Sequence, residues 1–291
     1  PSFPEFNHDL QFVLSHYSSA YGEDRTQGAT PIRQHLDNLK NAGSLYGNII
    51  YNKAPIMMRQ LEAAMGKQAF KEGIQDYIKT YANGNADWTE LVSILDEKTA
   101  IDMKAWSAVW VNQSGRPIIT DRIDYASDNT ISGFEIFQKA EDKGDKIWPQ
   151  QFEIGLVYSD SIAVINVAIQ KQVVTVKEAI GMPKPLDIIY NYNGFGYGVF
   201  PIQAESLDAF LSLEDEVARG YSYINIYEKM LNNDVAPIQV FQLFKRAVLE
   251  EKEEVLVRLI SGQLQSIFWG YFTENQRASV QGSLETDLRL R

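Results

Sequence analysis

The chain has 291 residues, of which 22% are charged and 45% hydrophobic, a composition that excludes collagen, low-complexity tracts and disordered tails. Lys and Arg number 27 against 38 Asp and Glu, and the resulting formal net charge of -11 argues against a nucleic-acid partner, which usually requires a basic face. Cysteine is absent and no apolar run approaches the roughly 20 residues of a membrane span, so we expect a soluble chain without disulfides, thiol chemistry or a membrane partner.

The first 115 residues repeat their apolar side chains with the period of a helix. Thr30-Pro31 predicts an N-cap followed by proline at the first helical position, and Ala54-Pro55 predicts the start of another helix. Asp87 and Glu90 form a capping box, and Asp102 is placed to cap a last helix. This part of the chain is therefore predicted to be all helix with short links.

At Arg116-Pro117 the period changes from 3.6 to 2, which indicates β-strands. About seven short strands separated by turn residues predict a small antiparallel sandwich, and a helical period returns after it. The expected fold is multidomain, with α and β parts: a helical domain over 1–116, a β-sandwich over 117–204 and an α-helical domain over 205–291. Beyond the first strand, the predicted strands are 131–138, 148–158, 161–169, 172–177, 186–190 and 197–202.

Few residues in the chain suggest an independent catalytic or metal site. His8, His16 and His35 are the three histidines, and no H-E-x-x-H or other pair four residues apart occurs, so we expect no metal ligands in this chain and exposed or capping histidines. No G-x-S-x-G elbow is present. The glycine-rich stretch 194–198 superficially resembles a phosphate loop, but it lacks the lysine and precedes a predicted strand, so a hairpin with positive φ is expected.

Several short motifs occur in a consistent order along the chain. Residues 44–55 read S-L-Y-G-N-I-I-Y-N-K-A-P, residues 66–74 read G-K-Q-A-F-K-E-G-I, and residues 106–117 carry two tryptophans followed by Q-S-G-R-P. Together they resemble the Y-x-x-x-x-Y-E-K-G-A, L-G-x-x-x-F-x-x-G and W-x-x-Q-x-G-x-P elements of the aminopeptidase N family of zinc metallopeptidases, the gluzincins. Upstream, Asp24 stands where members carry an aspartate, and Thr30 stands where they carry a histidine before proline.

The resemblance continues into the β-rich part and implies the domain order given above. Residues 148–152, W-P-Q-Q-F, resemble the start of the family's β-sandwich, and residues 196–200, G-Y-G-V-F, resemble a motif near its end. In the family the zinc ligands and the general-base glutamate precede the tyrosine element by more than the 50 residues that precede Tyr51. The resemblance therefore implies the helical half of a gluzincin catalytic domain, with zinc held by a missing N-terminal part of the same protein and peptides as the substrates.

The resemblance implies a catalytic role for Tyr51 and a substrate-binding role for Tyr46, five residues earlier. Peptide hydrolysis by a zinc-bound water builds an oxyanion, and a phenol that stays protonated at neutral pH can donate a hydrogen bond to that charge as it forms. The alternative interpretation is that both residues are core aromatics, because the chain contains 15 tyrosines.

Departures from the family pattern leave a second function open. Asn52 replaces the usual glutamate, Ala54 the glycine and Pro55 the alanine, and no arginine follows Tyr197. These changes favour the alternative of a non-catalytic peptide-binding or interaction protein on the same scaffold. A carbohydrate-acting enzyme would rest only on abundant carboxylates and aromatics. A bacterial cytoplasmic or periplasmic location fits the composition, and we favour the periplasm.

Overall fold

The computed structural model describes residues 6–202 and 209–290, and within them helices flank a β-rich middle. The helices that precede the strands are α1 (His8–Asp24), α2 (Ala54–Met65), α3 (Lys67–Thr80), α4 (Trp88–Asp96) and α5 (Met103–Trp110). Those that follow are α6 (Glu216–Leu231), α7 (Pro237–Glu250), α8 (Glu254–Gly270) and α9 (Glu274–Leu290). No helix in these ranges has the length and apolar character needed to cross a membrane.

Two three-stranded antiparallel sheets form the middle of the chain. One has the order β1-β2-β5 and the other the order β4-β3-β6. The mixed α and β fold class is thus confirmed, whereas the division into domains at 116 and 204 stays a prediction, and the second boundary lies outside the described residues. The strands are β1 (Pro117–Tyr125), β2 (Ile131–Ala140), β3 (Gln150–Val157), β4 (Ile162–Ile169), β5 (Val173–Thr175) and β6 (Asp187–Tyr190).

The helix signals that depend on neighbouring residues are confirmed. Asp87 and Glu90 make both hydrogen bonds of a capping box at α4, and the Asp102 carboxylate accepts from the Ala105 N–H at 2.8 Å to cap α5. Gly66 ends α2 with φ of 83°, a conformation that glycine adopts without steric cost. These three signals act within one turn of the chain, and the folded structure keeps them.

The helix predicted from Thr30-Pro31 is absent. Residues 25–38 contain no helix, and only a 3-10 helix over Leu39–Ser44 follows them. The N–H of Arg33, which a cap at Thr30 would have satisfied, donates instead to the Val111 carbonyl at 2.9 Å. A long-range contact therefore replaces the cap, and the prediction of short links throughout this half is wrong here.

The seventh predicted strand, 197–202, is also absent. Val199 forms only an isolated parallel bridge with Ile118, and Gly198 has φ of 140°, which breaks the extended conformation. An added Cβ at Gly198 would lie 2.6 Å from the Pro117 carbonyl oxygen, so the chain approaches β1 too closely for any other residue. The described residues therefore contain six named strands, and the predicted hairpin at 194–198 lacks its second strand, although Gly194 has the expected positive φ of 65°.

Side-chain amides replace the strand partner of this segment. The backbone N–H groups of residues 196, 197 and 200 donate to the amide oxygens of Asn191, Gln150 and Asn225 at 2.6, 2.8 and 2.9 Å. Because these buried N–H groups are satisfied, the segment can leave the sheet without the penalty of an unpaired donor. We call residues 194–200 the glycine loop.

One hydrophobic core runs through the first helices and both sheets. Trp106 and Trp110, one turn apart on α5, lie in it with their ring centroids 5.7 Å apart. The Trp110 indole N–H donates to the Pro149 carbonyl at 2.8 Å, and its ring lies 6.1 Å from that of Tyr197. The helical part and the β-rich part therefore share their core.

Replacement of Trp110 by alanine is expected to lower the free energy of unfolding by about 3–5 kcal/mol, because it leaves a cavity in this shared core. Urea denaturation measures the loss. Trp269→Ala is the control, since Trp269 is 67% exposed and its loss should stay below about 1 kcal/mol. Equal losses for the two variants would contradict the packing described here.

Candidate functional site

Tyr51 lies on a widened helical turn that leads directly into α2. Residues Ile49–Lys53 form a π-helix, and the N–H of Ala54 donates to the Ile49 carbonyl across the extra residue. π-helical turns are rare and occur frequently at functional sites, because the additional residue changes the direction of the side chains around it. We call Ile49–Lys53 the π-turn.

Tyr46 and Tyr51 are both exposed, at 62% and 59% of their surface. Their ring centroids lie 6.1 Å apart with the planes inclined by 41°. The interpretation of these residues as core aromatics is therefore wrong. Two neighbouring phenols on the surface form a site that a ligand can reach, with apolar ring faces and hydroxyl donors side by side.

Lys53, on the same turn, has the opposite environment. Its side chain is fully buried, and its ammonium lies 2.6 Å from the Asp24 carboxylate and 2.8 Å from the Gly115 carbonyl oxygen. Burial lowers the pKa of Lys53, and the Asp24 carboxylate acts against that shift. The ammonium also lies 5.5 Å from the centroid of the Tyr197 ring.

Asp24 connects four segments of the chain through one buried carboxylate. Besides Lys53, it accepts hydrogen bonds from the Tyr197 hydroxyl at 2.7 Å and the Gly115 N–H at 3.2 Å. The last residue of α1 thus contacts the π-turn, the connection after α5 and the glycine loop. The sequence motifs single out Asp24, Lys53 and Tyr197 separately, but no spacing rule predicts that they meet.

A cluster of buried tyrosines surrounds this ion pair. The Tyr17 hydroxyl donates to the Gly194 carbonyl at 2.7 Å, and the hydroxyls of Tyr21 and Tyr221 lie 3.0 Å apart. Burial raises the pKa of all four phenols well above 10, and for Tyr197 the nearby Asp24 charge adds to the effect. The cluster consists of Tyr17, Tyr21, Tyr197 and Tyr221.

A second buried charge cluster joins the same region to α6. The Arg116 guanidinium contacts Glu141 at 2.8 Å and Glu228 at 2.6 Å, and Arg25 contacts Glu228 at 2.8 Å. Burial alone would lower the pKa of Arg116, but hydrogen bonds and the charges of the two carboxylates raise it. The planar guanidinium is suited to two carboxylates at once, so this cluster ties the helices before and after the sheets together.

The residues that depart from the family pattern fit their positions. The Asn52 side-chain oxygen pairs with His16 Nδ1 at 3.1 Å, and its amide nitrogen donates to the side-chain oxygen Oδ1 of Asn48 at 3.0 Å. Ala54 has φ of -61° and ψ of -41°, ordinary helical values that need no glycine. Gly198 stands where the family motif carries arginine, and its closeness to β1 excludes a side chain. None of these substitutions distorts the turn that carries Tyr51.

The histidines do not combine into a metal site in the part of the chain that the structure describes. Within 6–202 and 209–290 no three His, Asp or Glu side chains form a group that could hold a metal ion. His8 and His35 are exposed, whereas His16 is partly buried and bonded to Asn52 rather than capping a helix. The residues present here do not fit a zinc ion.

The chain is similar to one known protein family and to several known proteins. Residues 2–114 match the model of the peptidase family M1 domain. The chain is 26% identical over 200 residues to aminopeptidase N of Streptomyces lividans, covering 65% of this chain and 23% of that protein. It is 27% identical over 117 residues to leucyl aminopeptidase of Saccharolobus solfataricus and 30% identical over 117 residues to aminopeptidase M1-D of Oryza sativa, in each case covering 40% of this chain. Those matches cover 15% and 13% of the relatives, so the chain spans less than a quarter of the length of each.

Lys53→Met is expected to destabilise the chain by about 3–5 kcal/mol, because it leaves the Asp24 carboxylate buried without a counter-charge. The double variant Asp24→Asn/Lys53→Met removes both charges and should recover most of that loss. Urea denaturation of the two variants and the unchanged chain measures the difference. A single variant as stable as the unchanged chain would show that the pair is not buried as described.

The buried tyrosines predict a loss of stability in alkali. Their pKa values are higher in the folded chain than the ordinary value of 10, so their contribution is complete below about pH 10 and is lost as the pH rises through the folded-state values. Each tyrosine lowers the free energy of unfolding by up to about 1.4 kcal/mol per pH unit in this range. Lys53 changes the free energy of unfolding in the opposite sense and offsets at most one of the four tyrosines.

Free energies of unfolding measured from pH 9 to pH 11.5 test this slope. Tyr17→Phe removes one ionisable group and should make the slope shallower. A free energy that stays constant across this range would contradict the burial of the tyrosine cluster.

Proposed function

We propose that this chain, whose residues 2–114 match the model of the peptidase family M1 domain, supplies part of the active site of an aminopeptidase that hydrolyses N-terminal residues from peptides. Three relatives named as aminopeptidases, from a bacterium, an archaeon and a plant, support the proposal. The observation that carries it is the placement of Tyr51: its phenol is exposed on the π-turn, while two residues later Lys53 is fully buried.

Tyr51 acts in this proposal as the hydrogen-bond donor to the charge that develops on the peptide carbonyl oxygen. Attack on a peptide carbonyl converts its oxygen to an oxyanion, and a donor already in place stabilises that oxygen more in the transition state than in the substrate. A tyrosine hydroxyl suits this role because it is a hydrogen-bond donor at the end of a rigid ring.

Tyr46 contributes to substrate binding beside it. With its ring 6.1 Å from that of Tyr51 and most of its surface exposed, it offers an apolar wall to a peptide lying against the π-turn. A residue in this position affects orientation more than charge, so its removal should be milder than the loss of Tyr51.

The metal-binding part of the active site belongs, in this proposal, to a preceding segment of a longer protein. The described residues do not fit zinc, and the matched relatives are more than four times as long as the regions that the chain shares with them. That segment would be a partner of this chain, and the chain without it would be inactive. The expected periplasmic location and bacterial source stay predictions.

The second candidate is a non-catalytic peptide-binding protein on the same scaffold. Asn52, at the position of the family's glutamate, is engaged by His16 and Asn48 and carries no charge, which favours this alternative. Both functions use the exposed tyrosine pair. They differ in whether removing the Tyr51 hydroxyl changes turnover or only affinity.

Tyr51→Phe in a longer chain that includes the preceding segment is expected to lower kcat about 10²–10³-fold, because one oxyanion donor is lost while the shape stays the same. KM should change little, since the hydrogen bond forms mainly in the transition state. Steady-state kinetics with an amino-acid amide as the substrate measures both constants. Tyr46→Phe should give a smaller loss of kcat.

Tyr271→Phe is the matched control, because Tyr271 is also exposed but lies at the end of α8. An unchanged kcat for Tyr51→Phe would refute the catalytic role. No turnover in the unchanged longer chain, together with peptide binding weakened by either tyrosine variant, would establish the peptide-binding alternative instead.

A further inference from the structure

Tyr51 and Lys53 point to opposite sides of the same turn. Helical rotation places side chains two positions apart on nearly opposite faces, in a widened turn as in an ordinary one. The two residues follow this rule, because Tyr51 is 59% exposed and the Lys53 side chain is fully buried. A rotation of the turn that moves Tyr51 therefore also displaces the backbone that carries the buried Lys53 side chain.

The Lys53 ammonium has little freedom to move. It contacts the Asp24 carboxylate at 2.6 Å, donates to the Gly115 carbonyl at 2.8 Å and lies over the Tyr197 ring. Displacing it would separate a buried charge from its partner in a region of low dielectric, which is strongly unfavourable. Asn52, the residue between Tyr51 and Lys53, also bonds to α1, through the partly buried His16.

The Asp24 carboxylate is itself fixed from the β-rich part of the chain. It accepts the Tyr197 hydroxyl at 2.7 Å, and the Tyr197 N–H donates to the Gln150 side chain of β3 at 2.8 Å. The Tyr197 carbonyl accepts the Gln150 amide at 3.1 Å, so that both backbone groups of Tyr197 bind one side chain. A continuous series of direct contacts thus runs from β3 through the glycine loop to the π-turn.

We propose that Lys53 is a positioning residue for Tyr51, and that the sheet containing β3 controls this position through Tyr197 and Asp24. The proposal rests on the catalytic function proposed above for Tyr51. It assigns the β-rich part of the chain a role in setting the orientation of the oxyanion donor, in addition to its contribution to the core. Small displacements of a catalytic group are costly, so an anchor of this kind affects turnover more than substrate binding.

Hydrogen exchange of the present 291-residue chain tests the anchor without any activity measurement. Tyr197→Phe removes only the hydroxyl that holds Asp24, and peptides covering residues 47–54 should exchange about tenfold faster, the factor that corresponds to losing a hydrogen bond to a charged group. Tyr223→Phe is the matched control, because that buried hydroxyl donates to the Glu251 carboxylate at 3.0 Å, away from the π-turn.

The pair of charge variants separates positioning from folding. Lys53→Met should also accelerate exchange at 47–54. If that variant does not fold, Asp24→Asn/Lys53→Met supplies the test, because it retains no unpaired buried charge yet lacks the anchor. In a longer chain with the preceding segment, Tyr197→Phe and the double variant should lower kcat about tenfold or more with KM unchanged, as expected for a displaced transition-state donor.

Unchanged exchange at 47–54 in Tyr197→Phe and the double variant would overturn the proposal, and so would an equal acceleration in Tyr223→Phe, which would indicate general destabilisation. Faster exchange with unchanged kcat would overturn it as well, provided that Tyr51→Phe lowers kcat. If Tyr51→Phe itself keeps full kcat, the proposed function fails. The exchange data alone would then decide whether Lys53 holds the π-turn.

Discussion

The ion pair between Lys53 and Asp24 is the interaction on which the arrangement of this chain depends. Two charges with no exposed side-chain surface are tolerated only when their geometry is good and their remaining hydrogen-bonding groups are satisfied. Gly115 and the Tyr197 hydroxyl supply those additional bonds. As a result, four segments must be in place together: α1, the π-turn, the connection after α5 and the glycine loop. A local error in any of them would leave a buried charge without its partners.

The charge clusters around this pair balance one another. The three cations Lys53, Arg25 and Arg116 face the three carboxylates Asp24, Glu141 and Glu228, so the junction is formally neutral although the whole chain carries a net charge of -11. Hydrophobic packing is not directional, whereas these contacts accept only one register of helix against sheet. The junction therefore combines a shared apolar core with a polar network that determines how the segments meet.

This construction explains how two exposed tyrosines can belong to a defined site. Tyr46 and Tyr51 are not held by burial of their own rings, but the turn that carries Tyr51 is fixed from its opposite side. Functional side chains presented to a ligand need such support, because an exposed ring has no packing to restrain it. The matched M1 domain covers residues 2–114, while the support includes Tyr197 and Gln150 from the β-rich part. The proposed site therefore extends beyond the family match.

The amino-acid order alone carries the resemblance to the aminopeptidase N family, the helix signals at Gly66, Asp87 and Asp102, the change from helix to strand near Pro117, and the candidate pair Tyr46 and Tyr51. These features depend on motifs or on interactions within a few residues, which the amino-acid order encodes directly. Three outcomes emerge only in the folded chain: Thr30 caps no helix, residues 197–202 leave the sheet, and Asp24, Lys53 and Tyr197 meet. Each of those outcomes depends on a partner far away in the chain: the Val111 carbonyl, the side-chain amides of Gln150 and Asn225, and the buried carboxylate. Local propensity contributes too little free energy to oppose such partners once burial makes an unsatisfied group costly.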